Sequence, residues 1–225
     1  LKKEKLVIQK GHLTPVQSIT LTKDGKYALS GAFDGTAILW DMKTGKEIRT
    51  FKGDLGGGAV TISPNGKYII MAGGVFLGNP EKMTLFNARE GNKIRVLDDG
   101  KGVVTRMAFS PDSQDLLVAR FIMGKSLVTG SKGKLEIWDV TTGKIVRTLT
   151  TEESKPNLFG GTFSPDGKYV VSGLSGITQA GGDIKLWNVK TGKEVRTFKG
   201  VLGSIRSLSF SQDSKYLVSG SGIGL

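Results

Sequence analysis

Short apolar-rich segments run along the whole chain, and each is bounded by a polar cluster of turn-forming residues. Val16–Leu21 (VQSITL), Val103–Phe109 (VVTRMAF) and 205–210 (IRSLSF) are three such segments, and each leads into a Ser/Thr, Asp, Gly/Ser cluster. Behind the clusters come further short segments, such as 27–30 and 169–172. Segments of this length between turn signals predict β-strands, and no stretch carries a helical period. The predicted fold class is all-β.

The turn clusters recur. One block reads TKDGKY at 22–27, SPNGKY at 63–68, SPDS at 110–113, SPDGKY at 164–169 and SQDSKY at 211–216. From Asp24 through Asn65, Asp112 and Asp166 to Asp213 the steps are 41, 47, 54 and 47 residues. Repeats of that length mean one supersecondary unit used several times. The block suits a hairpin: Pro presets φ, Asp or Asn bonds its own backbone, and Gly tolerates a positive φ. A second block reads WDMKTGK at 40–46, WDVTTGK at 138–144 and WNVKTGK at 187–193, with a degenerate FNAREGN at 86–92. It joins incoming strands (36–40, 135–138, 184–187) to outgoing ones (47–51, 145–149, 194–198). One repeat therefore holds four short strands and two hairpin turns.

With Trp-Asp closing the third strand at Trp40-Asp41 and Trp138-Asp139, and Gly11-His12 opening the first repeat, the chain resembles the WD40 family. The likeness covers nearly all 225 residues and extends to multi-repeat bacterial members. It implies four-stranded antiparallel blades around a channel. It specifies the fold and leaves the function open, because one scaffold serves many partners. The expected layout is a leading outer strand in 1–10, repeats at 11–52, 53–98, 99–150 and 151–199, and a truncated repeat at 200–225. Seven blades are usual in the family and would need roughly 315 residues. The expectation is a partial propeller of four blades plus part of a fifth, an open arc with its remaining blades missing. Strand 5–9 would close a blade, and the apolar faces at the two ends would promote self-association.

Charge and composition narrow the function less. Lys and Arg number 32 against 20 acids, a formal charge of +12. Such a balance attracts nucleic acid or acidic partners. The lysines recur with the turns, however, and no tract of five or more basic residues is present, so no specific nucleic acid is expected. The chain has no Cys, which excludes disulfides and thiolate chemistry. No apolar run reaches the roughly 18 residues of a membrane span, and residues 1–10 lack the apolar core of a secretory signal. The reading favours the cytoplasm.

His12, Ser30 and Asp34 look like a Ser-His-Asp set for acyl transfer. The resemblance accounts for them otherwise: WD40 blades often carry a hydrogen-bonded His, Ser/Thr, Asp and Trp tetrad, which falls here on His12, Ser30, Asp34 and Trp40. It implies a structural role, with Ser30 between His12 and Trp40. The other repeats hold Asp54, Gly100, Glu152 and Val201 at the His position. Glycine clusters at 56–58, 73–74 and 181–182 lack a following helix or a Gly-Lys-Ser/Thr ending, so no nucleotide cradle is predicted. No metal or other cofactor is expected, since one His and no Cys leave no ligand set.

Repeat irregularity points to binding. From the end of the second strand to the Trp position the chain takes 10 residues in repeat 1 (Ser30 to Trp40). It takes 15, 20 and 15 in the next three, to Phe86, Trp138 and Trp187. Inserts at 73–82, 120–134 and 173–183 are read as enlarged loops on what the resemblance implies is the partner-binding face. Phe76 and Phe121 are apolar candidates within them. The resemblance adds Gln17, Thr105, Phe159 and Arg206 on first strands, and Phe33 before the tetrad Asp. The sequence thus predicts a non-enzymatic scaffold for a protein or peptide partner. The alternative is a sensor or recruitment module whose effector, such as a caspase-like peptidase, lies outside these residues.

Overall fold

The computed structural model describes residues 11–53, 59–73, 82–97, 102–122, 132–149, 158–174, 182–201 and 203–222. Strand 5–9 and Phe76 lie outside them. The described residues contain no helix. They form four four-stranded antiparallel sheets and one two-stranded sheet, with every strand hydrogen-bonded to its sequence neighbour within its sheet. Blade 1 is β1 (Val16–Leu21), β2 (Tyr27–Ala32), β3 (Thr36–Asp41) and β4 (Glu47–Lys52). Blade 2 is β5 (Ala59–Ile62), β6 (Tyr68–Ala72), β7 (Met83–Asn87) and β8 (Lys93–Val96). Blade 3 is β9 (Val103–Phe109), β10 (Asp115–Ile122), β11 (Lys132–Asp139) and β12 (Lys144–Thr148). Blade 4 is β13 (Leu158–Phe163), β14 (Tyr169–Leu174), β15 (Gly182–Asn188) and β16 (Glu194–Val201). The hairpin β17 (Ser204–Phe210) and β18 (Leu217–Gly222) follows.

The blades share their cores. A strand's alternate side chains point to opposite faces, and here both faces of a blade are apolar. In β6, Ile69 and Met71 meet Leu29, Leu39 and Phe51 of blade 1. Their neighbours Ile70 and Ala72 meet Leu116, Val118 and Trp138 of blade 3. The same interleaving joins Leu117 and Ala119 to Phe163 and Trp187, and Val171 to Ile205 and Leu217. Each large side chain so buried contributes about 1.5–3 kcal/mol. At the last junction the backbone of Gly173 lies against Ile205, where a Cβ would meet Cγ2 at 2.6 Å.

Blade packing runs β1–β5–β9–β13–β17 along the inner strands. The arc is open among the described residues. Ile19 and Leu21 of β1 are 71% and 54% exposed, while their counterparts Val60 and Ile62 in β5 are 6% and 3% exposed beneath blade 1. At the far end Val218 stands exposed where Ile70 is fully buried in blade 2. The fold is a partial propeller.

The repeated turns are built as their chemistry requires. In the first, a Ser or Thr hydroxyl donates to the Asp or Asn carbonyl or carboxylate oxygen two residues on, as from Ser164 to Asp166 at 2.6 Å. That Oδ1 also accepts the N–H of Lys168 at 3.1 Å. Glycine takes the positive φ at Gly25, Gly66 and Gly167, but Ser113 and Ser214 adopt it too, with φ of 66° and 61°. A non-glycine residue there costs about 1–2 kcal/mol. Both serines offset the cost by accepting a backbone N–H from the preceding blade's turn. Asn65 donates to Ser113 Oγ at 3.2 Å, and Asp166 to Ser214 Oγ at 3.1 Å.

Part of the positive charge is architectural. Arg49, Arg95, Arg147 and Arg196 occupy one register on the four outermost strands, opposite Leu39, Leu85, Ile137 and Leu186. Arg49 donates to the carbonyl of Arg89 in the next blade's turn at 3.2 Å. Arg95 and Arg147 lie along the corresponding turns at Gly143 and Gly192. Turn lysines are solvated and locally paired, Lys26 with Asp24 at 3.2 Å and Lys168 with Asp166 at 3.3 Å.

Two expected loops are partly strand. In the insert at 173–183, Gly173 and Leu174 belong to β14, and Gly182 and Asp183 to β15. Spacing predicts a loop over 120–134, but Arg120, Phe121 and Ile122 extend β10 and pair with Lys134, Gly133 and Lys132 of β11. The Arg-Phe-Ile run keeps the ladder going, and Phe121 is a half-buried strand residue opposite Val103.

Candidate functional site

Blade 1 holds a chain of five polar side chains on the face away from blade 2. Trp40 Nε1 donates to Ser30 Oγ at 2.8 Å, and Ser30 Oγ lies 2.7 Å from His12 Nε2. On the other side of the ring, Nδ1 is 3.0 Å from Thr36 Oγ1, which donates to Asp34 Oδ1 at 2.5 Å. Nδ1 reaches Asp34 Oδ1 itself only at 3.7 Å, so Thr36 stands between them. With the ring neutral and its proton on Nδ1, every donor in the series points the same way, from indole to carboxylate. Local register explains the assembly: Ser30 pairs with Ile38 and Ala28 with Trp40, setting hydroxyl and indole side by side. Asp34 sits in the β2–β3 turn, where its N–H donates to Thr14 Oγ1 at 2.8 Å and its carboxylate accepts the N–H of Leu13 at 2.9 Å. Burial pushes the Asp34 carboxyl up, but hydrogen bonds from the Thr36 hydroxyl and from the N–H groups of Leu13 and Thr36 outweigh it. The carboxyl is held below its ordinary range.

The other blades answer the same position differently. In blade 4, Trp187 Nε1 donates to Ser172 Oγ at 2.9 Å. Phe86 stands there in blade 2 and needs no acceptor, with its ring edge-on to Phe51 at 5.7 Å. Blade 3 has Val118 in place of the serine, and Trp138 Nε1 turns to Glu136 Oε2 at 3.3 Å. Glu136 also takes Arg120 Nε at 3.2 Å, and the guanidinium lies 5.2 Å from the indole centroid. Arg120 and Glu136 are each 3% exposed, an ion pair buried between blades 2 and 3. Sequence reasoning missed both this pair and Thr36. A usable signal existed for the pair: Leu116, Val118 and Arg120 alternate on one face, and a cation on a core face requires a partner.

The second site is the concave inner wall. A groove of about 600 Å³ runs across β1, β5 and β9 and is lined by Gln17, Phe33 and Thr105 among others. It therefore gathers three of the candidate binding residues. Phe33 is 40% exposed, and Gln17 and Thr105 are exposed, with the Thr105 hydroxyl donating to Ala119 O at 3.1 Å. A smaller cavity of about 220 Å³ adjoins it across β9, β13 and β17, and Arg206 lines it. Phe121 lines neither. Phe159 belongs to β13, but its side chain is outside the described residues, as are most of the three inserts. Arg106, shared by both cavities, was not anticipated.

Among the described residues no group of three or more His, Asp or Glu gathers as a metal site. None of them forms a helix long and apolar enough to cross a membrane.

Comparison with known proteins bears on the fold first. A chain of Kuenenia stuttgartiensis hydrazine synthase superposes with a TM-score of 0.74 over 94% of this chain and 58% of that one, at 17% identity. That likeness shows the fold alone. The ribosome biogenesis protein BOP1 homolog of Drosophila willistoni is 28% identical over 111 residues, 49% of this chain and 13% of that protein. The small ribosomal subunit protein RACK1 of Caenorhabditis elegans is 38% identical over 64 residues, 28% of this chain and 20% of that protein. This chain thus spans a small part of the length of these relatives. The family described as WD domain, G-beta repeat matches residues 3–41, 143–188 and 192–222. Those segments make up just over half of the chain, and with its four-stranded blades they make it a member of the WD40 family.

Proposed function

We propose that this chain is a non-enzymatic interaction scaffold that holds a protein or peptide partner against the inner wall of its arc. The observation that carries the reading is the groove itself, in which Gln17, Phe33 and Thr105 from two blades converge. An exposed aromatic ring beside polar side chains on rigid strands is the usual make-up of an anchoring patch. The relatives named for ribosome biogenesis and for the small ribosomal subunit agree with work inside macromolecular assemblies.

The Ser30 and His12 pair is architecture in this reading. Ser30 is buried and its oxygen already accepts the Trp40 indole N–H, so no substrate carbonyl has a path to it. A nucleophile needs its oxygen aimed at an open site with oxyanion donors about 3 Å away. The test is a photo-crosslinking scan in cells, with a benzophenone amino acid placed at Gln17, Phe33, Thr105, Lys46 or Lys193. The groove positions should give a discrete partner adduct, and the two outer-turn positions should not. Adducts confined to Lys46 and Lys193 would overturn the reading.

A further inference from the structure

Beyond blade 4 the repeat is carried, among the described residues, by two strands alone. β18 pairs with β17 on one side, and no described strand pairs with its other edge. An open edge of this kind is a template for a further strand. The hairpin covers only the inner part of blade 4, where Val171 and Ile184 meet Ile205, Leu208 and Leu217. Farther out on the same face of blade 4 stand Leu186, half-buried, and Phe198, 37% exposed. Their counterparts in blades 1 to 3 are closed over: Leu39, Leu85 and Ile137 in one position and Phe51, Leu97 and Leu149 in the other are at most 5% exposed.

The three complete junctions show what closes that face. Over Leu39 and Phe51 lie Phe86 and Ala88 of blade 2. Over Leu85 and Leu97 lie Trp138 and Val140 of blade 3, and over Ile137 and Leu149 lie Trp187 and Val189 of blade 4. In each case the cover is a ring near the end of a third strand, with a small apolar residue two positions on. The turn that follows receives the preceding blade's arginine: Arg49 lies against Gly91, Arg95 against Gly143 and Arg147 against Gly192. Arg196 holds the same register in blade 4, opposite Leu186, and its guanidinium lies over the Phe198 ring, 5.8 Å from the centroid. Third strands also keep one register, with the ring opposite Ala28, Ile69, Leu116 or Val170 of the second strand. Leu217 is the matching residue of β18.

β18 also specifies which ring. Two residues after that position, Ser30 and Ser172 accept the indole N–H of Trp40 and Trp187 at 2.8 and 2.9 Å. Blade 2 has Met71 there and a phenylalanine ring, and blade 3 has Val118 and an indole turned to Glu136. Ser219 holds this position in β18 and is exposed. We propose that the β18 edge and the outer face of blade 4 form a docking site for a partner that lends a β-hairpin of this repeat type, with tryptophan near the end of its first strand. That strand pairs with β18, its indole packs on Leu186 and Phe198 and donates to Ser219 Oγ, and the turn after it lies against Arg196. Main-chain hydrogen bonds of an added strand supply affinity, and side-chain contacts at alternate positions supply specificity. None of these residues lines the groove across β1, β5 and β9, so the proposal is independent of that site.

The experiment is fluorescence anisotropy of a labelled peptide spanning residues 36–52 of this chain, which carries Trp40 and a hairpin turn, added to the 225-residue protein. Hydrogen exchange on the complex locates the peptide, and a thermal midpoint on each protein variant reports that it is folded. The peptide should bind saturably and slow exchange across Leu217–Gly222, with β1 unaffected. A Trp40→Phe peptide should bind wild type at least about fivefold more weakly, the scale of one lost hydrogen bond. Against Ser219→Ala the tryptophan peptide should lose that advantage. Phe198→Ser in the protein should weaken both peptides at least about tenfold, as loss of a central apolar anchor does. No binding to the folded protein, or protection of β1 in place of β18, would overturn the docking site. Equal affinity of the two peptides for wild type would overturn the assignment of tryptophan. Self-association of the protein that protects β18 and excludes the peptide would overturn the proposal in favour of a second copy.

Discussion

Blades 1 and 3 place a tryptophan at the same point of the repeat and satisfy its indole N–H by opposite means. Trp40 is tied to a run of polar groups ending in a single carboxylate at the margin of the sheet. Trp138 is tied to a carboxylate that is itself held by a buried guanidinium. Blade 4 manages with one serine, and blade 2 with a phenylalanine and no acceptor. The series separates two requirements. A flat ring stands at this point in all four blades, and in blades 2 to 4 it packs toward the preceding blade. A polar partner is required only when the ring carries an N–H, because leaving that group buried and unbonded costs about 1–3 kcal/mol. The tetrad is one solution among several to that second requirement.

The largest effect expected from this comparison is in blade 3. Glu136→Ala leaves the Arg120 guanidinium buried without its carboxylate and should cost about 3–5 kcal/mol in urea unfolding. Replacing both partners, Arg120→Met with Glu136→Leu, should recover most of that loss. A double variant as unstable as the single one would show that the pair contributes net stability in its own right. In blade 1, His12→Ala removes the middle of the chain and should cost about 1–3 kcal/mol. A loss of hydrolytic activity at an unchanged melting midpoint would instead mark a catalytic histidine.

Blade 4 gives a smaller effect. Ser172→Ala should cost about 1–2 kcal/mol by stranding the Trp187 N–H. Adding Trp187→Phe, the ring already used in blade 2, should cost less than the sum of the two single changes. Strict additivity would mean that the hydrogen bond does not matter. The smallest effect concerns Asp115, which stands where the other blades have tyrosine. Burial, and then the nearby Asp112 and Asp139 carboxylates, push its carboxyl up. A raised folded value means that this group's contribution is fullest at pH below the ordinary 3.8 and is lost as pH rises through the folded value. Asp115→Asn should therefore raise the unfolding midpoint at pH 7, and the gain should vanish in acid. A gain that persists at low pH would point to packing instead of charge.

Much of this fold is legible in the chain because each turn declares itself. Asp or Asn, with Gly or Ser at a fixed offset, marks both hairpins of every blade, and the strands follow between them. Ser30 and Trp40 could be paired for the same reason, since a regular hairpin sets their register. Arg120 and Glu136 escaped because they lie 16 residues apart across a connection of irregular length. Only the pairing of Val118 with Glu136 brings them together. Arg106 escaped for a different reason. Its stem crosses a neighbouring blade at Gly160, where a Cβ would fall 2.6 Å from Arg106 Cγ. That glycine comes about fifty residues later, a dependence that no local pattern records.

The division between fold and function can be tested by measuring unfolding midpoint and partner affinity together for His12→Ala and Phe33→Ala, using the partner captured at the groove. The account predicts opposite results. His12→Ala should lose stability while the folded protein keeps its affinity, and Phe33→Ala should keep its midpoint and bind at least about fivefold more weakly, as loss of an aromatic anchor does. Full affinity in Phe33→Ala, with binding lost in folded His12→Ala, would contradict it and move the functional site to the polar chain of blade 1.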